Sequence, residues 1–387
     1  MSIDIDDPFV GRIGAVGALT LVTVFAWLSF IFLPVLVDLY IHTYGFSQAG
    51  AGTLAGIEVG ALTVVALALS SSVHRRDKRV LCIAAALLVG AGNGCSLVVS
   101  GPFALGFART LVGAGLGLAV ASVNALPALA RKSEFLYALG QLALCVVGSL
   151  LIFGVPVAVA HAGPAGIFWL EIGMAAAALL VAPALPAGVS NRAAAAPARL
   201  HVGTNGRRAL GAACLFYIVQ TSLWAFAGQA GERAGLAAER VDFYLAASAM
   251  CGVGGAGLAM LLGMRRGMLA PLVCGFLAQA VFGLLLYVGR GAVVFVPAVL
   301  LITFSSVFVT PYLLALAAEL DPLGRLASAA GAFMNLGATV GPIAAGVIAA
   351  RFGHAWIGYL SALLLVGGLA VVAGPARVRR STHVSSG

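Results

Sequence analysis

The sequence has very little charge. Only 9% of its 387 residues are Asp, Glu, Lys or Arg, whereas 61% are hydrophobic. Soluble domains carry about 25% charged residues, which cover the surface that faces water. A chain with so few charges cannot build such a surface, which excludes an ordinary soluble domain. The mean hydropathy of +1.07 therefore favours lipid as the main solvent of the folded chain.

The sequence also lacks the motifs of metal, disulfide and nucleotide chemistry. Its six cysteines lie in apolar runs without a C-x-x-C pair, which is typical of small buried residues. The string G-x-G-x-x-G at 252–257 lies inside an apolar run, where small residues allow close helix contact, and not between a strand and a helix. We expect no cofactor, no bound metal and no enzymatic activity. The net charge of +9 lies in short loops, so nucleic acid is not an expected partner either.

Long apolar runs make up most of the chain. Each is long enough to cross the hydrocarbon core of a bilayer, which takes about 20 helical residues. Because every backbone amide in lipid must bond internally and no alternating pattern indicates strands, the runs are predicted to be helices. The twelve predicted spans are 13–37, 48–72, 80–99, 103–129, 135–160, 164–186, 208–230, 241–264, 268–288, 292–318, 326–350 and 355–373.

The basic residues between these runs are unevenly distributed. Of the 22 Lys and Arg residues, seventeen fall in the termini and alternate loops of one side, and four fall on the other. Because cytoplasmic loops are enriched in Lys and Arg, this asymmetry predicts that both termini are cytoplasmic. The chain is therefore expected to be a multi-pass protein of a cell membrane, such as a bacterial inner membrane.

The polar stretch 188–208 divides the predicted spans into two sets of six. Arg75-Arg76 after the second span matches Arg265-Arg266 after the eighth, and Trp27 in the first span matches Trp224 in the seventh. The predicted domains are a six-helix bundle at 1–187, a cytoplasmic linker at 188–208, and a second bundle with a short tail at 209–387. Two such repeats are a recurrent transporter architecture, with the substrate site near the middle of the membrane.

Two segments carry a family resemblance. The loop 70–79 reads S-x-x-x-H-R-x-D-K-R, and the fourth span contains Arg109-x-x-x-Gly113-x-Gly115. Both resemble motifs of the major facilitator superfamily of secondary transporters, and the resemblance covers essentially the whole chain. It implies an all-α fold of twelve spans in two pseudo-symmetric bundles that work by alternating access. In the family this loop is a cytoplasmic gate; here it contains Arg75, Asp77, Lys78 and Arg79, with Arg265 in the second copy. The basic positions match the family pattern, whereas His74 replaces its aspartate and Asp77 replaces its second glycine.

Three charged residues lie inside predicted spans: Glu58, Arg109 and Glu171. A charge at mid-span costs roughly 2.5–3.5 kcal/mol or more, so each needs a physical reason. One interpretation is proton coupling, a role that the family associates with this arginine. A second is a permanent ion pair that neutralises buried charge, and a third is contact with a cationic substrate.

The resemblance implies that spans 1, 4, 7 and 10 line a central cavity. Aromatic walls with a few polar groups suit an amphipathic organic solute, although the same aromatics could pack or face lipid. Asp38, Asp242 and Glu319 lie at span ends and are predicted to be solvated boundary or gate residues. The candidate substrate-binding residues are Trp27, Phe30, Asn124, Gln220, Trp224, Phe308 and Tyr312, with Asn335 in span 11.

These features predict a monomeric secondary active transporter of a small organic solute, coupled to protons. One buried arginine beside two glutamates does not resemble a polyanion site, so a neutral, zwitterionic, cationic or singly anionic solute is expected. The alternatives are an uncoupled facilitator and a non-transporting membrane receptor on the same fold. A receptor would be expected to carry a soluble domain or a long tail.

Overall fold

The structure, a computed structural model, describes residues 9, 12–70, 72–99, 101–127, 130, 133–187, 202–263, 267–321 and 325–382. Within these ranges the secondary structure is helical, and short 3-10 turns occur at Val73–Arg75 and Ala182–Ala184. The first helices are α1 (Ile13–Ala26), α2 (Leu28–Ile31), α3 (Leu33–His42), α4 (Gln48–Ser70), α5 (Lys78–Val98), α6 (Pro102–Ala125), α7 (Ser133–Ala162) and α8 (Gly166–Val181). The later helices are α9 (Thr204–Ala225), α10 (Ala227–Arg233), α11 (Ala238–Leu262), α12 (Leu269–Val288), α13 (Ala292–Leu320), α14 (Arg325–Phe352) and α15 (Ala355–Thr382).

Ten helices in the described part of the chain, α4 to α8 and α11 to α15, are long and apolar enough to cross a membrane. The pair α9 and α10, which meet at a bend of 46°, would make an eleventh span. The prediction of an all-α, multi-pass membrane protein is therefore confirmed. Twelve spans remain a prediction, because the first predicted span is divided among α1, α2 and α3, and α1 has only 14 residues.

Two helix breaks share the same backbone geometry. Trp27 separates α1 from α2, and Phe226 separates α9 from α10; both have φ −108° and ψ 15°. The sequence matches Trp27 to Trp224. The helix break that corresponds to the break at Trp27 lies two residues later, at Phe226. Neither break contains proline or glycine, so hydropathy and breaker residues do not mark these positions.

The helices form two compact units, of which the first contains Met1–Phe32 and Ile57–Ala196. In this unit α5 packs against α6 and α8, and α1 packs against α6 and α7. The start of α5 is joined to the end of α8, where the Lys78 amide donates to the Ala187 carbonyl at 2.9 Å. The four helices α4, α5, α6 and α8 carry the buried charges described below.

The second unit contains Leu33–Gly56 and Pro197–Gly387. In this unit α9 packs against α14 and α15, while α11, α12 and α13 form a neighbouring group. Gly337 lets α14 approach the Cys214 carbonyl of α9, since a Cβ at Gly337 would overlap that oxygen. By contact, α3 and the first half of α4 belong to this unit. The domain division at 188–208 stays a prediction.

Glycines of α6 allow it to approach its neighbours closely. A Cβ at Gly113 would overlap the Glu58 carbonyl oxygen of α4, and one at Gly117 would meet the Leu62 carbonyl at 2.6 Å. On α5, a Cβ added at Gly92 would lie 2.8 Å from the Ala108 carbonyl oxygen of α6. Small residues of this kind set helix distances in membrane proteins. The family-like spacing of Arg109 and Gly113 therefore holds the arginine next to the backbone that carries Glu58.

Gly113→Ala is expected to destabilise the protein by about 1–3 kcal/mol, because the added methyl pushes α6 away from α4. The measurement is the thermal unfolding midpoint of purified protein in detergent. Gly94→Ala is the matched control, since a Cβ at Gly94 meets nothing within 4 Å and alanine has the better helix propensity. Equal midpoints for the two variants would contradict the close contact at Gly113.

Candidate functional site

Three buried charges of the first unit form one cluster. Glu58 on α4 is 2% exposed, and Asn93 on α5, Arg109 on α6 and Glu171 on α8 are completely buried. The structure thus brings together the three intramembrane charges that the sequence singles out, with one polar side chain that it does not. Each group comes from a different helix, so the packing of four helices determines the geometry.

The guanidinium of Arg109 is bonded most directly to Glu171. Its Nη2 and Nη1 donate to Oε2 of Glu171 at 3.1 and 3.3 Å. Nη2 also donates to Oδ1 of Asn93 at 2.8 Å, and the Asn93 amide in turn donates to the Val89 carbonyl at 3.0 Å. The Phe168 ring lies 5.2 Å from the guanidinium carbon, a cation–π distance. The arginine is therefore fixed by charge, hydrogen bonds and an aromatic face.

Glu58 approaches the same arginine from another side. Its Oε2 lies 3.6 Å from Nε of Arg109, which is an ion pair longer than the one to Glu171. Its other oxygen, Oε1, accepts a hydrogen bond from the Ser29 hydroxyl of α2 at 2.5 Å. Glu58 and Glu171 thus share a single cation.

The cluster is unbalanced in charge. Two carboxylates and one guanidinium leave one negative charge in excess when both acids are ionised. An uncompensated charge away from water costs several kcal/mol, roughly, and buried charges are normally paired. One proton on either carboxyl group removes the excess, and the remaining carboxylate is balanced by Arg109. The arrangement can therefore hold one proton, on either Glu58 or Glu171.

Three partners of this cluster were not predicted from the sequence. Asn93 is detectable in principle, because it is the one amide side chain in the apolar helix α5. Ser29 and Phe168 resemble many other small or apolar residues of their helices. Their positions depend on how α2 and α8 are rotated about their axes, and the sequence alone does not give those rotations.

The aromatic substrate-binding candidates occur in two pairs, each within one unit. Trp27 and Phe30 have ring centroids 5.2 Å apart and are both half-buried. Phe308 and Tyr312 have centroids 5.3 Å apart and are 6% and 3% exposed. The Tyr312 hydroxyl donates to two carbonyls near the end of α11, both at 3.3 Å, so these two rings pack α13 against α11.

The polar candidates are more dispersed. Asn124 is exposed near the end of α6, where its backbone carbonyl accepts from the Tyr137 hydroxyl at 2.8 Å. Gln220 and Trp224 are half-buried one turn apart on α9, and Asn335 is half-buried on α14. A role in binding stays a prediction for each of these residues.

The predicted gate loop is tied to the first unit by hydrogen bonds. Asp77 caps α5 by accepting from the Arg79 amide at 2.8 Å, and the Arg79 side chain donates to the Leu185 carbonyl at 2.5 Å. Lys78 is 1% exposed, and Arg75 donates to the neighbouring His74 ring at 3.2 Å. The loop therefore joins the start of α5 to the end of α8. Arg265, its predicted counterpart, lies outside the described residues.

A second polar cluster lies in the second unit. Gly228 of α10 lies directly against the Asp38 carboxylate, because a Cβ there would overlap it. Asp38, the sixth of the ten residues of α3, is thus packed against α10, and its Oδ1 atom is buried. Gln229 bonds through Oε1 to Nε2 of His354 at 2.7 Å. Burial, with the nearby positive charge of Arg233, lowers the pKa of His354 to about 4, so this imidazole is neutral at pH 7.

Comparison with known proteins identifies the fold. No protein-family model and no curated protein matches the chain. A bacterial homolog of the human lysosomal transporter Spinster, in an inward-facing and occupied conformation, matches with a TM-score of 0.71 and 15% identity over 94% of this chain and 96% of its own. A variant of the nucleoside transporter NupG matches with a TM-score of 0.74 and 12% identity over 93% and 98%.

Both similar structures are major facilitator superfamily transporters. The chain therefore has the fold of that superfamily, and the resemblance seen in the loop 70–79 and in the fourth span is confirmed at the level of fold. At 12–15% identity the likeness does not extend to the substrate.

Proposed function

We propose that the protein is a secondary active transporter that moves a small organic solute across a cell membrane by alternating access, driven by protons. The observation that carries the proposal is the buried cluster in which Glu58 and Glu171 share Arg109. Its excess negative charge gives a proton a reason to bind in a region that water does not reach. The transporter fold of the two similar structures supports the same conclusion.

The cluster couples the proton to a change of conformation through competition for the arginine. The carboxylate that is bonded to Arg109 keeps its charge, and the other binds the proton. A helix shift that moves Arg109 from Glu171 towards Glu58 reverses these roles. Glu58 then releases its proton, and Glu171 becomes the group that binds one. The short bonds to Glu171 and the longer contact to Glu58 represent one of these two arrangements.

The solute is proposed to be neutral, zwitterionic, cationic or singly anionic, because one arginine between two carboxylates does not suit a polyanion. The half-buried residues Trp27, Gln220 and Trp224 are proposed contacts. The proposal includes a monomer in a bacterial inner membrane with twelve spans, both termini cytoplasmic, and bundles at 1–187 and 209–387. The loop of Arg75, Asp77, Lys78 and Arg79 is proposed to act as its cytoplasmic gate.

An uncoupled facilitator is the second candidate. The observation that favours it is the number of bonds around Arg109, which holds Glu171 and Asn93 at once. A network with this many bonds could neutralise buried charge permanently, without exchanging a proton. In that case the solute distribution would not respond to a pH gradient.

The test begins with a thermal-shift screen of purified protein against metabolites and drug-like molecules. Uridine is included because one similar structure is a nucleoside transporter. Compounds that stabilise the protein are then offered to proteoliposomes with and without an imposed pH gradient. The expected result is accumulation above the external concentration, lost when a protonophore is added. Equilibration that ignores the gradient would support the facilitator, and binding without uptake would contradict a transporter.

A further inference from the structure

A chain of buried polar side chains crosses three helices of the second unit. The Ser305 hydroxyl of α13 donates to Oε1 of Gln279 on α12, and Nε2 of Gln279 donates to Oε1 of Gln220 on α9. Gln279 is completely buried and Ser305 is 2% exposed. Neither residue was among those predicted from the sequence. Burying an amide in an apolar helix costs free energy unless the amide is hydrogen-bonded. The two hydrogen bonds of Gln279 offset that cost.

The direction of the chain depends on the single proton of the Ser305 hydroxyl, which also lies 2.8 and 3.1 Å from the Leu301 and Ile302 carbonyls of its own helix. When that proton is donated to Gln279, each donor points towards α9, and the chain ends on the carbonyl oxygen of Gln220. The amide nitrogen of Gln220 makes no hydrogen bond to the part of the protein that the structure describes. An amide that is bonded only through its oxygen keeps both N–H groups for a further partner.

The surroundings of Gln220 are suited to a ligand. Tyr217 and Trp224 lie three residues before and four residues after it, on the same face of α9, and all three are half-buried. The Tyr217 hydroxyl shares a hydrogen bond of 3.2 Å with Thr310 of α13, which holds that ring in place. The donor group of Gln220 is therefore presented between two aromatic side chains.

We propose that Gln279, held by Ser305, is a positioning residue that orients Gln220 so that it presents N–H donors to the transported solute. The solute then carries a hydrogen-bond acceptor, such as a carbonyl or carboxylate oxygen, beside a part that contacts aromatic rings. This inference rests on the proposed transport function and deepens it. A site that is built to donate rejects a ligand that brings a donor to the same place, because two donors are then left unpaired.

Uridine and cytidine are the probes for this inference. Position 4 of the ring carries a carbonyl oxygen in uridine and an amino group in cytidine, and the adjacent ring nitrogen is a donor in uridine and an acceptor in cytidine. The wild-type protein is expected to bind uridine roughly ten- to a hundredfold more tightly, the effect of one mismatched hydrogen bond. Binding is measured by the quenching of tryptophan fluorescence. In Gln279→Leu the Gln220 amide can rotate, so the ratio of the two affinities falls towards one. Gln141→Leu, an exposed glutamine of α7, is the control and keeps the wild-type ratio.

A preference for cytidine would overturn the inferred donation from Gln220 to the position-4 carbonyl oxygen. An unchanged ratio in Gln279→Leu would overturn the positioning role and leave Gln279 as a residue that only satisfies buried groups. A purely structural role would change the thermal midpoint without changing the ratio of affinities, which is why the ratio is the decisive measurement.

A second measurement does not depend on transport. The protein has only five glutamines. Labelling with [15N]glutamine therefore gives five side-chain amide pairs in the NMR spectrum, and each is assigned by substitution. Gln279→Leu and Ser305→Ala are expected to shift the Gln220 signals and to leave those of Gln141 unchanged. Unshifted Gln220 signals would overturn the inferred chain, whether or not the protein proves to be a transporter.

If neither nucleoside binds, the same spectrum is recorded with a solute that the proteoliposome assay shows to be transported. Saturation with that solute is expected to shift the Gln220 amide protons, and an absence of shift would overturn the donor role. If no solute is transported, the proposed function fails and the donor role fails with it. The spectra of the free protein still decide whether Gln279 orients Gln220.

Discussion

Arg109→Met is expected to lower the free energy of unfolding by about 3–5 kcal/mol, the typical result of removing one partner of a buried ion pair. The substitution leaves Glu58 and Glu171 close together without a cation, and neither is accessible to water. Asn93 loses a charged hydrogen-bond partner at the same time. The measurement is the thermal unfolding midpoint of the purified protein in detergent, followed by circular dichroism.

Stability is expected to return when the carboxylates are neutralised as well. Combining Arg109→Met with Glu58→Gln and Glu171→Gln removes all three charges and keeps side chains of similar volume. Arg351→Met is the control, because Arg351 is exposed in the last turn of α14 and its removal leaves no buried charge. A single variant Arg109→Met as stable as the wild type would show that the arginine does not balance the two acids.

Glu58→Gln and Glu171→Gln are each expected to abolish concentrative transport and to preserve exchange of solute across the membrane. In either variant the remaining carboxylate is balanced by Arg109, so no proton is needed and none is carried. The helices can still alternate, which is all that exchange requires. The measurement is uptake of a transported solute into proteoliposomes with an imposed pH gradient, beside counterflow without one.

The control for this pair is Glu239→Gln, at an exposed position in the first turn of α11. It removes the same charge without touching the cluster, and accumulation is expected to remain at the wild-type level. Accumulation against a gradient in both cluster variants would rule out proton coupling at this site. Loss of both exchange and accumulation would instead indicate a structural role for the carboxylates.

The candidate site was predictable from the sequence as far as its charges are concerned. Glu58, Arg109 and Glu171 stand out because a charge in an apolar run is rare and costly. Gly113, one turn after Arg109, also signals a close helix contact, although the sequence does not say that the contact is the Glu58 backbone. Which helices meet at these residues depends on tertiary packing.

Other features depend on helix rotation and leave little trace in the sequence. Ser29 and Gln279 are single polar residues in apolar segments, and their roles follow from which neighbour each side chain faces. The helix breaks at Trp27 and Phe226 occur without proline or glycine, so hydropathy predicts continuous spans there. The broken first segment is also the reason that twelve spans stay a prediction.

The central claim is that Glu58 and Glu171 hold one proton between them while Arg109 balances one charge. Infrared spectroscopy measures this directly, since a protonated carboxyl group has a C=O stretching band separate from that of a carboxylate. The wild-type protein at neutral pH is expected to show a buried carboxylic-acid band that is lost in both Glu58→Gln and Glu171→Gln. Identical carboxylic-acid bands in the wild type and both variants would contradict the claim.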